Sequence, residues 1–438
     1  YWYGGEDRVS TGHFFSDAAA DGSGQWLIDP WRNDFEKSPH SVVDRQTLID
    51  WRFNRRPVSS NEKELGPWLD SMTYQDFIYK FMGMGSVVPE YFNNILSTAV
   101  GMGCDVVSAY AAYKMHLPGV NSFYPRTNRK FAKNGRHGFP GGTDGFARYF
   151  IKRLIPDAIE GGDSFADILL KPINFSAFEQ KDNSVRLRLG STVVSVEHAG
   201  DADNSDAVLI QYIKDNKSYT VKAKGVVMAT GSWINRHVLK DMPANYINAC
   251  QSFVQAPFMI ANVALNNWRF LHEIGVTACL WDKGFGFSCN IRRPMKIGQY
   301  QPPLDPDKPI VLTFYVPFLT PGLAAREQAI LGRQKLLMSS YAEFEQQILA
   351  QMQTLFQRSG FDAQRDVSGI ILNRWGHALY VPEPGYYFGQ GNEPASRDIL
   401  RRRFGRIAIG HSELHGIQHW GTAADEGAHA MRQVLDVL

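Results

Sequence analysis

Residues 403–438, RFGRIAIGHSELHGIQHWGTAADEGAHAMRQVLDVL, predict a strand, a loop and a helix in that order. A short apolar run at 406–410 ends in glycine, a polar loop follows at 411–420, and Thr422 opens a helix with a face of small apolar residues. A helix that begins directly after a strand presents unpaired N–H groups and a positive dipole end, which suit an electron-rich carbonyl or a pyrophosphate. Any α/β domain that ends in a helix gives the same pattern, so the spacing alone leaves both interpretations open.

The composition is that of an ordinary globular chain. Of its 438 residues 44% are apolar and 21% are charged, and the net charge is +2. That length allows a large core and two domains. The balanced charge gives no electrostatic case for nucleic acid, and no apolar run is long enough to span a membrane. The four cysteines have no metal-binding spacing, so we expect no metal site. We expect free buried thiols, with a disulfide between some pair as the alternative.

A dinucleotide-binding fingerprint is missing from the chain. Three glycine pairs, at 83–85, 101–103 and 284–286, begin like one, but none has the third glycine or follows a convincing strand. The sequence also opens at Tyr1, without methionine, in a stretch typical of the middle of a domain. We therefore expect a protein that is processed, truncated or built from several chains.

Two inner stretches predict tight turns. Residues 137–158, HGFPGGTDGFARYFIKRLIPDA, predict a glycine turn followed by a helix that Pro156 closes. A meander of alternating strands over 185–223 precedes VVMATG at 226–231, a short apolar strand ending in small residues. Such a strand edge and turn could close over an adenosine, although a plain helix start and a generic meander explain the same residues.

The remaining patterns predict further elements. Helices are expected at 43–52, 73–82, 89–98 and 105–115, and over 324–357 with a break near Ser339. Strands are expected at 251–265 and 310–314. The segment 370–387 is expected to be irregular because of its prolines and glycines.

Seven segments resemble the flavin amine oxidase family, and within it the bacterial spermidine dehydrogenases. They are GVNSFYPR at 119–126, FPGGTDGFARYFIKRLIP at 139–156, VRLRLGSTVVSVEHAGD at 185–201, APFMIANVALNNWR at 256–269, PIVLTFYVP at 309–317, NRWGHALYVP at 373–382 and FGRIAIGHSELHG at 404–416. The resemblance implies a mixed α/β (α+β) fold. An FAD-binding domain without its N-terminal βαβ unit would take 136–240 and 401–438, and a substrate domain of a sheet with flanking helices would take 1–135 and 241–400.

The resemblance also implies where the cofactor FAD would lie. The cofactor-binding residues by match are Gly141, Gly142, Val193, Gly231, Glu413, Trp420, Gly421 and Thr422. Trp375 and Tyr380 fall where the family has aromatic residues facing the flavin, and we assign them the catalytic role. An aromatic wall favours a cationic polyamine through cation–π contact and excludes water from hydride transfer. Asp105 and Glu383 are candidates to hold a distal ammonium, although each is as readily a solvated or capping acid.

Two departures from the family shape the expected function. The missing fingerprint implies that a second polypeptide, or a segment absent from this sequence, completes the FAD site. The lysine that many relatives carry near the flavin is also missing, because no lysine occurs between Lys240 and Lys283, where Gln255 and Asn262 stand. We therefore favour a dehydrogenase that passes electrons to a cytochrome or quinone over an oxidase. The resemblance implies a periplasmic location.

Two alternatives stay open at this point. The chain could be a cofactor-less subunit with an assembly or binding role. It could also oxidise amino acids, in which case an arginine would pair with the substrate carboxylate. The candidate arginines are Arg269, Arg292, Arg293 and Arg374.

Overall fold

The structure is a computed structural model that describes residues 10–16, 24–53, 62–120, 142–291 and 294–438. Its strands are β1 (Thr11–Phe15), β2 (Gln25–Ile28), β3 (Thr192–His198), β4 (Val208–Lys214), β5 (Lys217–Ala223), β6 (Val226–Met228), β7 (Gln255–Leu265), β8 (Ala278–Trp281), β9 (Ser288–Ile291), β10 (Ile310–Pro317), β11 (Val367–Tyr380) and β12 (Ile407–Ile409). Its helices are α1 (Val42–Phe53), α2 (Glu62–Asp70), α3 (Tyr74–Asp76), α4 (Val87–Val100), α5 (Ala109–Lys114), α6 (Asp144–Leu154), α7 (Phe165–Leu170), α8 (Ser232–Val238), α9 (Ala244–Ser252), α10 (Arg269–Ile274), α11 (Ala325–Met338), α12 (Tyr341–Phe356), α13 (Ala363–Asp366), α14 (Ser396–Leu400) and α15 (Trp420–Leu435).

A seven-stranded sheet forms the larger part of the fold, in the order β11-β7-β10-β9-β8-β1-β2. Its neighbours are antiparallel except for β1 and β8, which are parallel. Alternate residues of a strand point to opposite faces, and in β7 Met259, Ala261 and Val263 face a buried apolar cluster that includes Phe344 of α12. On the other side α4, from the helical region α1–α5, packs against β10 and β11.

Helix α4 crosses that second face of the sheet. Near its start, Tyr91 stacks on His13 of β1 with ring centroids 5.9 Å apart. At its end, Gly101 caps the helix with a φ of 77° and lies so close to Ala256 that a Cβ there would overlap it. A Cβ at Gly101 would also come within 3.2 Å of Leu379 in β11. The helix therefore runs from β1 to the far ends of β7 and β11.

The smaller part of the fold contains a parallel pair, β6 and β12, and an antiparallel meander, β3-β4-β5. A buried cluster joins these strands to α8, α9 and α14. Helix α15 packs against β12, and Gly410 allows this approach because a Cβ there would lie 3.1 Å from the Gly427 backbone and 3.0 Å from Ala430. The mixed α/β fold is thus confirmed. The domain boundaries stay predictions.

Most predicted elements are present, but several bounds and one segment differ. The irregular segment expected at 370–387 was wrong, because β11 is a 14-residue strand paired along β7, with a bulge between Trp375 and Leu379. An edge strand tolerates a glycine and a bulge, and the prolines come only after its end. Residues 185–191 are not a strand, since β3 begins at Thr192. The C-terminal helix begins at Trp420, two residues earlier than expected, because His419 supplies the cap.

The described part of the chain was compared with the expectations on membrane spans, metal sites and cysteines. No helix there is both long and apolar enough to cross a bilayer. The same residues contain no group of three or more potential ligands that could hold a metal ion. All four cysteines, Cys104, Cys250, Cys279 and Cys289, are buried and free, as predicted.

Candidate functional site

Glu413 joins three chain segments at one point. It lies in the turn after β12, and one of its carboxylate oxygens accepts a hydrogen bond from the Ser232 backbone N–H at the start of α8, at 2.5 Å. The other oxygen accepts from the Ser232 hydroxyl at 3.2 Å and from the Gln255 amide, the first residue of β7, at 3.1 Å. The turn after β6, the turn after β12 and the start of β7 in the large sheet therefore meet at this carboxylate.

Burial dominates the electrostatics of Glu413. Its side chain is 1% exposed, and burial raises its pKa to about 7 although the donors on Ser232 and Gln255 oppose that shift. The carboxyl group thus changes its charge close to neutral pH. The role of Glu413 as a cofactor contact stays a prediction. Its hydrogen bonds connect the three segments of the site.

The start of α15 borders the same region. The His419 side chain accepts from the Gly421 N–H at 3.2 Å, and the Thr422 hydroxyl donates to the Ile417 carbonyl at 2.7 Å. These bonds occupy Thr422 in capping the helix. Trp420 is 48% exposed and stacks on Phe146 of α6, with centroids 4.2 Å apart and planes 22° apart. An accessible aromatic surface therefore stands at the helix N-terminus.

The bulged end of β11 supplies a second aromatic surface. Trp375 is 59% exposed, and two residues later His377 stacks on Trp233 of α8 at 4.0 Å with nearly parallel planes. Burial, with the nearby cations Arg333 and Arg236, lowers the pKa of His377 to about 4, so its ring is neutral at physiological pH.

Tyr380, paired with Trp375 in the predicted catalytic wall, does not share an open surface with it. Tyr380 is 1% exposed and packs between Phe253 and Tyr386, because β11 turns its last residue into the core of the smaller unit. Its backbone N–H donates to the Gln418 side chain at 2.9 Å, which ties the strand end to the loop before α15. Tyr380 is therefore a core residue, and its assigned catalytic role stays a prediction.

The other predicted cofactor residues are dispersed. Gly141 lies outside the described residues, whereas Gly142 has a φ of 82° and open space around it. Val193 is 41% exposed on β3, and Gly231 is the residue directly before α8, beside the Glu413 carboxylate. Their cofactor contacts stay predictions. The apolar side expected for α6 is partly in solvent, since its Phe150 is 52% exposed.

The two acids expected to hold a distal ammonium have different surroundings. Asp105 accepts from the Gly322 N–H at 3.0 Å and from the Gln328 amide at 2.8 Å, so it helps to hold the start of α11. Glu383 lines a cavity of about 340 Å³ beside Phe253, where burial raises its pKa. The binding of an ammonium by either acid stays a prediction.

A cavity under α4 was missed by the sequence reasoning. It has a volume of about 540 Å³ and continues into a second space of about 300 Å³. Aromatic side chains from separate parts of the chain line it, among them His13, Trp31, Tyr91, Phe287 and Tyr315. The available signal was the placement of aromatic residues on α4 and β1, but their convergence depends on the register of the sheet.

Arg52 is one of the charged groups that line this cavity, and no sequence pattern singled it out. It lies in the last turn of α1, and its guanidinium lies 4.1 Å above the ring of Trp31. Of the four arginines named as carboxylate partners, Arg269 pairs with Asp307 and Arg374 donates to the Ser339 carbonyl, while Arg292 and Arg293 lie outside the described residues. Sequence reasoning thus did not identify Arg52 as an arginine that faces a cavity.

Comparison with known proteins identifies the fold. No family model and no curated protein matches the chain. Among solved structures, it is similar to wild-type putrescine oxidase bound to putrescine, with 13% identity, a TM-score of 0.54, and coverage of 100% of this chain and 82% of that one. It is also similar to cyclohexylamine oxidase from Brevibacterium oxydans IH-35A, with 13% identity, a TM-score of 0.52, and coverage of 98% and 81%. The chain therefore has the fold of these amine oxidases.

Proposed function

We propose that the protein is an FAD-dependent oxidoreductase that oxidises amines. The observation that supports the proposal is the meeting of the turn after β6, the turn after β12 and the start of β7 at Glu413, within the fold of two amine oxidases. Ligands of open parallel sheets bind outside the carboxyl ends of the strands, and β6 and β12 both end there.

The chemistry of the residues assigned to the cofactor supports FAD. Trp420 and Trp375 offer exposed aromatic faces for a planar ring, and the open space around Gly142 allows close approach to its backbone. The N-terminus of α15 would favour the electron-rich edge of that ring. When bound, FAD supplies the acceptor for two electrons from the amine carbon.

The protein side chains would act mainly by excluding water and orienting the substrate. Aromatic surfaces favour an approaching ammonium through cation–π contact and keep the site dry. The neutral ring of His377 adds no further charge beside Arg333 and Arg236. These are roles in binding, and they require no proton transfer from Tyr380.

The electron acceptor is part of the proposal. We favour a dehydrogenase, with a cytochrome or quinone as acceptor, because the position of the family's lysine is taken by Gln255 and Asn262. Both amides are engaged: Gln255 bonds Glu413, and the Asn262 carbonyl accepts from the Thr313 hydroxyl at 2.9 Å. A polyamine substrate and a periplasmic location belong to the same proposal by resemblance alone.

A further polypeptide segment is proposed to complete the cofactor site. Within the described ranges β6 pairs only with β12, and a two-stranded parallel sheet is rarely stable by itself. Large apolar side chains of α6 and α7, such as Phe150 and Leu170, are more than half exposed. A second chain would supply the next strand. Copurification and mass spectrometry of the native protein would identify it.

Anaerobic reduction tests the function. The purified native protein is scanned for flavin absorbance and mixed with putrescine, spermidine or cyclohexylamine without oxygen. Bleaching by an amine, with reoxidation faster by a quinone than by oxygen, is the expected result. A protein that binds no FAD even when FAD is supplied would support the cofactor-less alternative instead.

A further inference from the structure

Cys279 and Cys289 lie directly opposite each other on neighbouring strands of the large sheet. The antiparallel register of β8 and β9 pairs them in the middle of the ladder that the two strands form. Opposite residues of an antiparallel pair point to the same face of the sheet, so the two thiols lie side by side. Both side chains are buried, each with 1% exposure.

The hydrogen bonds of the hairpin set the distance between the two backbones. The Trp281 N–H donates to the Phe287 carbonyl at 3.0 Å, two residues along each strand from the cysteines. Because bonded and non-bonded pairs alternate, Cys279 and Cys289 form a hydrogen-bonded pair, with Cα atoms about 5.5 Å apart. A disulfide joins Cα atoms about 4.4–6.8 Å apart. The Cβ atoms of opposite residues, about 4.5–5.5 Å apart, need to approach only to about 3.5–4.5 Å.

The strand register distinguishes this pair from the other two cysteines. Cys104 belongs to the buried cluster of the helical region, whereas Cys250 lies in α9, where its sulfur is 3.9 Å from that of Met242. The described residues also provide no third ligand that would make Cys279 and Cys289 part of a metal site. A bond between the two sulfurs is therefore the chemistry that this arrangement supports.

The surroundings of the pair determine when its thiols can react. Both cysteines belong to the apolar core cluster around α12, together with Phe314, the partner of Cys289 on β10. Burial, and then the neighbouring Cys279 thiol, raises the pKa of the Cys289 thiol well above its usual value. Since the thiolate is the reactive form, exchange requires the hairpin to open, and a folded protein retains the redox state in which it folded.

We propose that Cys279 and Cys289 are a redox modification site, which becomes a disulfide between β8 and β9 when the chain folds under oxidising conditions. The structure shows the dithiol state. The co-reactant is a disulfide, of a small thiol or of an oxidising protein. One cysteine thiolate attacks it and releases the first thiol, and the other cysteine then attacks the mixed disulfide and releases the second. Two electrons and the two thiol protons thus pass to the co-reactant, which leaves as two thiols.

The bond would also stiffen one wall of the cavity under α4. Leu280 and Ser288, the next pair along the hairpin, line that cavity. A disulfide beside them fixes the spacing of the two strands that carry them. The inference is independent of the proposed amine oxidation, because it depends only on the register of β8 and β9.

Peptide mass spectrometry tests the proposal, because trypsin cleavage after Lys283 places the two cysteines in separate peptides, 270–283 and 284–292. The full chain is produced in a reducing compartment and, in parallel, in an oxidising one. Each folded sample is unfolded in the presence of N-ethylmaleimide, which blocks free thiols, and is then digested. The two peptides should be joined in most of the protein from the oxidising compartment. They should be separate, and blocked at both cysteines, in the protein from the reducing compartment.

Cys104→Ala is the matched control, because it removes a buried cysteine from another part of the fold and should leave the peptides joined. Cys279→Ala should abolish the joined peptides and leave Cys289 blocked by the maleimide. Free thiols or adducts of a small thiol at the two cysteines, in folded protein from the oxidising compartment, would overturn the inference.

Equilibration with a glutathione mixture gives a second measurement that does not depend on the host. The equilibrium constant for forming the bond should be at least about tenfold higher in folding buffer than in urea, because the folded register holds the two cysteines together. An equal or lower constant in folding buffer would show that the fold does not accommodate the bond and would also overturn the inference.

Discussion

Replacing Glu413 with glutamine should change how the stability of the protein depends on pH. Burial raises the pKa of this carboxyl from 4.5 to about 7, so the folded protein holds the proton more tightly than the unfolded chain. The contribution of the proton to stability is present below about pH 4.5 and is lost as the pH rises through about 7. The difference between these pKa values corresponds to roughly 3 kcal/mol.

The assay is urea unfolding followed by tryptophan fluorescence at a series of pH values from about 5 to about 8. Over this range the wild type should lose on the order of 2–3 kcal/mol more of its free energy of unfolding than Glu413→Gln does. Glu343→Gln is the control of opposite sign. The Ser340 N–H and hydroxyl lower the pKa of the exposed Glu343, so its stabilisation is lost only as the pH falls. Parallel pH profiles for the wild type and Glu413→Gln would refute the reasoning.

Three further predictions concern the aromatic surface, the packing of α4 and the β11 bulge. Trp420→Ala should weaken FAD binding about fivefold, since an aromatic contact contributes on the order of 1 kcal/mol. Tyr300→Ala, at an exposed residue outside the helices and strands, should leave FAD binding unchanged, and flavin retention on gel filtration distinguishes the two variants. Gly101→Ala should lower the free energy of unfolding by about 2–4 kcal/mol, because the added Cβ would overlap the sheet and the residue has a positive φ. Gly83→Ala, also at a positive φ but in open space, should lower it by only about 1 kcal/mol. Thermal melting of both variants measures the difference. The pKa of His377 is lowered in the folded protein, so the neutral ring stabilises the fold above pH 6.5. This stabilisation is lost as the pH falls towards 4. His377→Gln should therefore make the melting temperature less sensitive to acid between these pH values.

The elements of the fold that were predicted correctly are those determined by local sequence patterns. The strand, loop and helix at the C-terminus follow from small residues and helical spacing, and the break near Ser339 follows from the capping residue Ser340, which begins α12. In β11 the same approach failed, because Gly376 and the following prolines suggested a loop while long-range pairing with β7 determined a strand.

The site itself was only partly accessible from sequence. Glu413 stood out as the acid of its loop, but its partners, Ser232 and Gln255, lie 181 and 158 residues away along the chain. The cavity under α4 depends on contacts of the same kind, since His13 and Tyr315 meet only through the order of strands in the sheet. The burial of Tyr380 could not be predicted, because an aromatic residue at the end of a strand gives no sign of which face it will occupy.

The central claim is that this fold binds FAD and passes electrons to it from an amine. The most direct measurement is the visible spectrum of the purified native protein before and after anaerobic addition of an amine. A flavin spectrum that an amine bleaches is the result that the account predicts. A protein that takes up no FAD, or a bound flavin that no amine reduces, would contradict it.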